Sequence, residues 1–462
     1  MKTGDRVDYY PVRRTGTGDY DTSIWTTHWE STVVLYLIVF VSGMTVLAIE
    51  LAGSRLIAPY FGTSLFIWAN LIGFVLLYLA VGNWLGGRLA DRYPRRTVLY
   101  QLTAWAAFFC GLIPLLSRPI LSVSAQGFAS YSLGIFWGSL VGVVLLFLVP
   151  ITLLGCVAPF AIRVRVEGVQ SSGSTAGSLY ALSTIGSLLG AFLPVLLLIP
   201  NIGTTRTFML FALTLFVCSL IGLLRERRGE QTQSWPASRL WLYAAMLVVL
   251  VALTVWRPSV IRAAAYGELV YETESPYNYI QVVQLGPRVD LVLNEGHAVH
   301  SIYNPERLLT GGPWDYFLVA PYFAPDKKPA DVQSMLMLGS AAGTTLRQYT
   351  EVYGPIPLEG VEIDPRIIDI GKRFFQMTMP NARTIAQDGR YYLRTADKTY
   401  DVIGIDAYRQ PYIPFHMTTR EFFTEIRSLL NPGGVTAINV GRTERDFRLV
   451  NALASTMKLV HP

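Results

Sequence analysis

The stretch Ser334-Met335-Leu336-Met337-Leu338-Gly339-Ser340-Ala341-Ala342-Gly343 decides the fold of the C-terminal half. Its apolar run reads as a buried strand, and small residues follow at once, before a helix containing Leu346. A first strand ending in small residues lets backbone amides and a helix N-terminus approach a polar ligand, which makes Gly339 and Gly343 candidate binding positions. The next apolar run, Leu358–Ile363, ends in Glu362-Ile363-Asp364. An acid about 20 residues past the glycines, here Glu362, can accept hydrogen bonds from both hydroxyls of a ribose. A third run ends in Gln387-Asp388-Gly389, which places a carboxylate where an adenine amino group can donate. A fourth, Tyr400–Ile405, runs into Asp406 at the carboxyl edge of the sheet, where ligands of open α/β folds bind. A helix around Glu421–Leu430, a turn at Asn431-Pro432-Gly433-Gly434 and a strand Val435–Val440 complete the alternation. From Val332 onward, strands alternating with helical segments predict a parallel sheet of Rossmann type. Acids at successive strand ends, in order and at this spacing, point jointly to a nucleoside ligand. The competing reading is that they only cap helices.

Upstream, residues 268–303 carry short β-type runs, Tyr279–Gln284 and Asp290–Leu293, separated by Gly286-Pro287. They predict a small antiparallel unit over 268–330, ahead of the Rossmann-like domain at 331–462. The rest of the 462 residues is of another kind. Hydrophobic residues make up 52% of the chain and charged residues only 15%, with a mean hydropathy of +0.37. Soluble domains carry roughly 25% charged residues, so a wholly soluble protein is excluded. Seven apolar stretches stand out: Thr32–Leu51, Trp68–Leu85, Thr97–Leu116, Leu133–Val149, Leu179–Ile199, Thr207–Leu224 and Leu240–Trp256. Each is long enough to cross roughly 30 Å of hydrocarbon as a helix. The expected architecture is a polar tail (1–31), an α-helical polytopic membrane domain of about seven spans (32–256), and the two C-terminal units. The polar tail ahead of a long first run argues against a cleaved signal peptide.

Residues 1–256 hold 17 Lys/Arg against 10 Asp/Glu, so the net charge of +6 is concentrated in the apolar half. That distribution argues against a basic nucleic-acid-binding domain. The arginines alternate between connections. Arg88, Arg92, Arg95 and Arg96 follow the second run, Arg163 and Arg165 the fourth, and Arg225, Arg227, Arg228 and Arg239 the sixth. The intervening connections carry Arg55, Arg118 and Arg206 alone, which reads as a multi-pass cell-membrane protein with a cytoplasmic N-terminus. Seven crossings would then export the C-terminal half. Gly82/Gly86 and Gly186/Gly190 are small-xxx-small pairs suited to close helix packing. Glu50, inside the first run, is open to two readings: a substrate or proton site, or an ion pair with Arg55 or another helix. Gly86-Gly87-Arg88-Leu89-Ala90-Asp91-Arg92 resembles a short cytoplasmic loop of major-facilitator transporters. Cys110, Cys156 and Cys218 lie in apolar runs without CxxC spacing, so neither a disulfide framework nor a metal site is expected.

The C-terminal half resembles the spermidine synthase family, the aminopropyltransferases with a methyltransferase-like Rossmann fold. The matching stretches are Ser275-Pro276-Tyr277-Asn278-Tyr279-Ile280, Leu293-Asn294-Glu295-Gly296, Val361-Glu362-Ile363-Asp364, Asp388-Gly389-Arg390-Tyr391-Tyr392-Leu393 and Asn431-Pro432-Gly433-Gly434-Val435. Glu50-Leu51-Ala52-Gly53-Ser54-Arg55-Leu56 and Gly177-Ser178-Leu179-Tyr180-Ala181-Leu182-Ser183-Thr184-Ile185-Gly186 resemble the membrane-fused forms of that family. The resemblance implies that Glu362 holds the ribose and Asp388 the adenine of decarboxylated S-adenosylmethionine, with Gly389 beside it. The amine-handling residues depart from the family pattern. Ala341 stands where its glycine-rich loop has Asp, and Asp406-Ala407-Tyr408-Arg409 keeps only the first acid of its D-S-S-D motif. Trp314-Asp315-Tyr316 falls on its Y-H-E stretch. The family's fold also continues with a further β-hairpin, whose absence would leave a strand edge unpaired.

Aminopropyl transfer needs a deprotonated amine, so Asp406 is the candidate base and Asp315, Tyr277 and His297 are candidate substrate-binding residues. His300 is a further candidate, since a neutral imidazole takes a proton near pH 7. Three functions are compatible with these residues. The first is aminopropyl transfer from decarboxylated S-adenosylmethionine to an amine. The second is methyl transfer from S-adenosylmethionine to a hydrophobic acceptor. The third is a transporter or sensor whose nucleoside domain is not catalytic. In the enzyme readings the nucleoside is a co-substrate and no tightly bound cofactor is expected. The partners expected are the lipid bilayer and that nucleoside, without nucleic acid, and a homodimer is left open. S-adenosylmethionine is made in the cytoplasm, which argues for a cytoplasmic C-terminal domain against the seven-span count.

Overall fold

The structure, a computed structural model, describes residues 23–128, 134–166, 168–229, 237–255, 261–296, 298–408, 413–441 and 445–461. The chain divides into two compact units, Met1–Ile261 and Arg262–Pro462.

The first unit is helical: α1 (Ser23–Phe61), α2 (Leu65–Arg92), α3 (Arg96–Gly127), α4 (Gly134–Gly155), α5 (Val157–Arg165), α6 (Ser172–Leu193), α7 (Ile199–Ile202), α8 (Thr204–Gly229) and α9 (Ala237–Val255). Helix α1 packs on α6 and α8, α2 on α4, and α3 on α4 and α8. The two glycine pairs sit at the tightest of these crossings. A Cβ at Gly186 or Gly190 would collide with the α1 backbone at Phe40 or Met44. One at Gly82 or Gly86 would collide with the Thr152 or Cys156 backbone. Large apolar side chains face outward, among them Leu76, Trp84, Leu145, Leu188, Phe192 and Leu196. Glu50 is half-buried in α1.

Among the described residues, six segments are long and apolar enough to cross a membrane, where seven were expected. The seventh expected span, Leu240–Trp256, overlaps α9 and is not among them.

The second unit has two sheets. Strands β1 (Glu268–Glu274), β2 (Tyr279–Leu285), β3 (Arg288–Leu293) and β4 (Val299–Tyr303) form an antiparallel sheet in sequential order. Strands β5 (Met335–Leu338), β6 (Leu358–Glu362), β7 (Ala382–Ala386), β8 (Tyr400–Ile405) and β9 (Leu430–Ile438) form a parallel sheet in the order β7-β6-β5-β8-β9. Helices α10 (Trp314–Val319), α11 (Thr344–Tyr353), α12 (Pro365–Phe374), α13 (Gly389–Thr395), α14 (Arg420–Ser428) and α15 (Arg448–Lys458) accompany it. One core holds Phe422, Phe423 and Ile426 of α14 with Leu338, Ile403 and Ile405. Another holds Leu346 and Tyr349 of α11 with Met335, Met337 and Leu358. The small sheet contributes Ile280, Val282 and Leu291 to a third core with Ile367, Ile370 and Phe375.

The expected turn at Asn431–Gly434 lies inside β9. Tyr400 pairs with Leu430 and Val402 with Val435, so Asn431–Gly434 bulges opposite Asp401. Gly433 has φ +72°, and Asn431 donates from Nδ2 to Asp401 Oδ1 at 3.0 Å. The bulge absorbs the turn residues without ending the strand. Among the described residues β9 is an edge strand, paired only with β8.

Candidate functional site

The chain builds β5, then places β6 and β7 on one side of it and β8 and β9 on the other. Helices diverge at such a reversal, and a crevice opens at the carboxyl ends of the strands. A cavity of about 660 Å³ lies there. Gly339, Ala341, Glu362, Gln387, Asp388, Gly389, Asp406 and Asn439 line it from the parallel sheet, while Tyr277, Asn278 and His300 line it from the small sheet. Its size is within the range of small-molecule sites.

Gly339 makes the first turn possible. Its φ is +83°, and a Cβ would run into the backbone of Asp406 and Ala407. Helix α11 then starts after Gly343, which is not among the lining residues. Glu362 ends β6 and is buried, accepting from the Ala341 amide at Oε2 and the Asp364 amide at Oε1, both at 3.1 Å. Burial pushes its carboxyl up to about 7, helped by the charge of Asp364 and opposed by the amide donors. Asp364 is fully buried and ties the loop after β1 to the end of β6. It accepts from Ser275 Oγ at 2.5 Å, Asn278 Nδ2 at 2.9 Å and the Arg366 amide at 3.0 Å.

Asp388 does cap a helix. Its Oδ1 accepts from the amides of Arg390 and Tyr391 at 3.0 Å. The other oxygen lies 3.8 Å from His416 Nε2, and the residue still lines the cavity. Capping and ligand binding are therefore compatible, one oxygen for each. Arg390 fixes this corner by pairing with Glu425 at 2.9 Å and donating to the His416 carbonyl at 2.7 Å.

Asp406, past β8, accepts from Asn439 Nδ2 at 2.9 Å and from the Trp314 indole. Burial raises its carboxyl to about 6, against both hydrogen bonds. Asp315 is turned elsewhere. It takes the Thr310 and Gly311 amides and Gln348 Nε2, and these outweigh its burial to hold the carboxyl below its ordinary value. It is not among the lining residues, so it is not at hand for a substrate in the cavity. Tyr277 lines the cavity and is exposed. His297 and Arg409 lie outside the described residues. Asn439, Trp314, Gln387 and Asn278 join the site without having been singled out as binding residues. Asn439 falls inside the expected strand Val435–Val440, but β9 ends at Ile438 and leaves it just past the strand, as Asp406 is past β8.

Residues 325–462 match the family model described as the spermine/spermidine synthase domain. A probable polyamine aminopropyl transferase of Bifidobacterium longum is 38% identical over 193 residues, 42% of this chain and 42% of that protein. A polyamine aminopropyltransferase of Vibrio vulnificus is 33% identical over 117 residues, 24% of this chain and 39% of that one. The chain thus spans about two fifths of the length of these relatives. The crystal structure of a probable spermidine synthase from Corynebacterium glutamicum matches 43% of this chain and 71% of its own, with 18% identity and a TM-score of 0.37. The C-terminal part of the chain carries a spermine/spermidine synthase domain.

Proposed function

We propose that the chain is a membrane-tethered alkyltransferase that binds decarboxylated S-adenosylmethionine in this cavity and transfers its aminopropyl group to an amine. The observation that carries the reading is the order of acids along the carboxyl edge: Asp388 after β7, Glu362 at β6, Asp406 past β8. Asp388 receives the adenine amino group and Glu362 the ribose hydroxyls. The sulfonium then lies toward Asp406. The relatives named above, described as aminopropyl transferases, support the choice of donor.

The amine nitrogen attacks the propyl carbon bonded to sulfur. A C–N bond forms, the C–S bond breaks, and its electron pair goes to sulfur, leaving a neutral thioether nucleoside. The proton lost by the amine passes to Asp406. A carboxyl group that titrates near 6 is ionised at neutral pH yet basic enough to accept that proton. The sulfonium is already a good leaving group, so most of the acceleration comes from alignment of the two reactants.

Six crossings would bring the C-terminal unit back to the side of the N-terminus, which the arginine distribution assigns to the cytoplasm. This supports a cytoplasmic domain, where S-adenosylmethionine is made. The outward apolar side chains of the first unit support insertion in a bilayer. The test is mass spectrometry of products after incubating the detergent-solubilised full chain with either donor and an amine. Aminopropylated amine from the decarboxylated donor is expected. Methylated product from S-adenosylmethionine alone would replace the reading with methyl transfer.

A further inference from the structure

Asp388 has a second polar group beside it. Phe415–Met417 form a single 3₁₀ turn beyond β8, and all three residues line the cavity. Three contacts fix that turn against the start of α13. The His416 carbonyl accepts from Arg390 Nη1 at 2.7 Å, and Arg390 is itself held by both oxygens of Glu425 on α14. A Cβ at Gly389 would meet Met417 Cε at 3.3 Å, so the Met417 side chain lies against Gly389. His416 Nε2 stands 3.8 Å from Asp388 Oδ2. Asp388 Oδ1 caps α13 through the Arg390 and Tyr391 amides, which leaves Oδ2 as the oxygen on the His416 side.

A separation of 3.8 Å is too long for a direct hydrogen bond. As an ion pair the contact would contribute little, because the two side chains are 37% and 42% exposed and the imidazole is charged only when protonated. The spacing does suit a ligand that bridges the two atoms. A 6-aminopurine carries on one edge an amino group that donates and a ring nitrogen that accepts. A carboxylate can only accept, and its charge favours the imidazole tautomer with hydrogen on Nε2, which donates.

We propose, resting on the nucleoside reading above, that Asp388 and His416 read that edge together. Asp388 Oδ2 accepts from the exocyclic amino group, and His416 Nε2 donates to the ring nitrogen beside it. The pair makes the site specific for a 6-aminopurine nucleoside. A 6-oxopurine would set its carbonyl oxygen against the Asp388 carboxylate, two acceptors with no hydrogen between them, so it is rejected by repulsion as well as by a lost bond.

The test is isothermal titration of the full chain in detergent with methylthioadenosine and three analogues. The 1-deaza and 7-deaza forms each lack one ring nitrogen beside the amino group, and methylthioinosine is the 6-oxo form. In the unmodified protein one deaza form should bind about tenfold more weakly than methylthioadenosine, and methylthioinosine about a hundredfold more weakly. His416→Ala should weaken methylthioadenosine about tenfold and abolish the penalty on that deaza form. Arg390 holds residue 416 by its carbonyl, so this variant is compatible with the turn. His416→Gln, whose amide also donates, should keep part of the discrimination. Asp388→Asn still caps α13 through Oδ1 and turns an amide donor toward the base, so it should narrow the preference over methylthioinosine about tenfold. Equal binding of methylthioadenosine and both deaza forms by the unmodified protein, or a deaza penalty unchanged in His416→Ala, overturns the inference and leaves the transfer reading standing. Folded protein that binds no nucleoside overturns the transfer reading, and the inference with it.

Discussion

Glu362 should make nucleoside binding depend on pH. Two ribose hydroxyls need two acceptor positions, and the ionised carboxylate supplies them after its amide bonds at 3.1 Å are counted. Protonation turns one oxygen into a donor and removes one of those positions. The group titrates at about 7, because burial and the charge of Asp364 outweigh the amides of Asp364 and Ala341. Affinity should therefore rise with pH through that value and level off above it. With one proton lost, the apparent dissociation constant should fall about thirtyfold between about pH 5.5 and about pH 8. The assay is isothermal titration of the full chain with methylthioadenosine, the thioether nucleoside left by transfer. Glu362→Gln should bind weakly at every pH and lose the slope. Asp406→Asn should keep the slope, which separates the ribose acid from the acid that titrates near 6 at the other end of the cavity. A flat profile in the unmodified protein, or a slope that survives in Glu362→Gln, would refute the assignment of Glu362 to the ribose.

Asp406→Asn should reduce kcat by roughly 10²–10⁴. In the unmodified protein the rate should climb with pH through about 6, because only the ionised form accepts the proton, and steady-state pH profiles of both proteins test this. Asp364→Ala leaves Asn278 Nδ2 and the Arg366 amide without their acceptor and Ser275 Oγ with only the Asn278 carbonyl to donate to, and should cost about 3 kcal/mol of stability. Limited proteolysis of the second unit reads the loss. The milder Asp364→Asn removes a negative charge that raises Glu362, so the midpoint of the binding profile should move below 7. Gly186→Leu should force α1 and α6 apart and destabilise the first unit by roughly 1–3 kcal/mol. Size-exclusion profiles and melting in detergent measure it, and an unchanged melt would contradict the packing described.

The order of the C-terminal elements was legible because each of β5, β6 and β8 is a short apolar run ending in small or acidic residues. Those ends are also where the cavity lies. What the pattern could not show was orientation. Trp314 and Asp315 are consecutive, and in a helix they point about 100° apart. One reaches Asp406 and the other turns to Thr310 and Gln348. Asn439 escaped notice because its pairing depends on the Asn431–Gly434 bulge, which reads locally as a turn. The same bulge carries the strand on to Ile438 and brings Asn439 beside Asp406. In the first unit the glycine pairs announced their crossings, since only a missing Cβ allows that approach. The span count differs at α9, whose 19 residues sit near the lower end of the lengths that cross a bilayer.

The central claim is that the cavity holds the nucleoside of decarboxylated S-adenosylmethionine for transfer to an amine. Its most direct test is titration of the full chain with decarboxylated and intact S-adenosylmethionine, followed by product analysis of the same samples with an amine present. The account predicts tighter binding of the decarboxylated form and an aminopropylated product that disappears in Asp406→Asn. Folded protein that binds neither compound would contradict it.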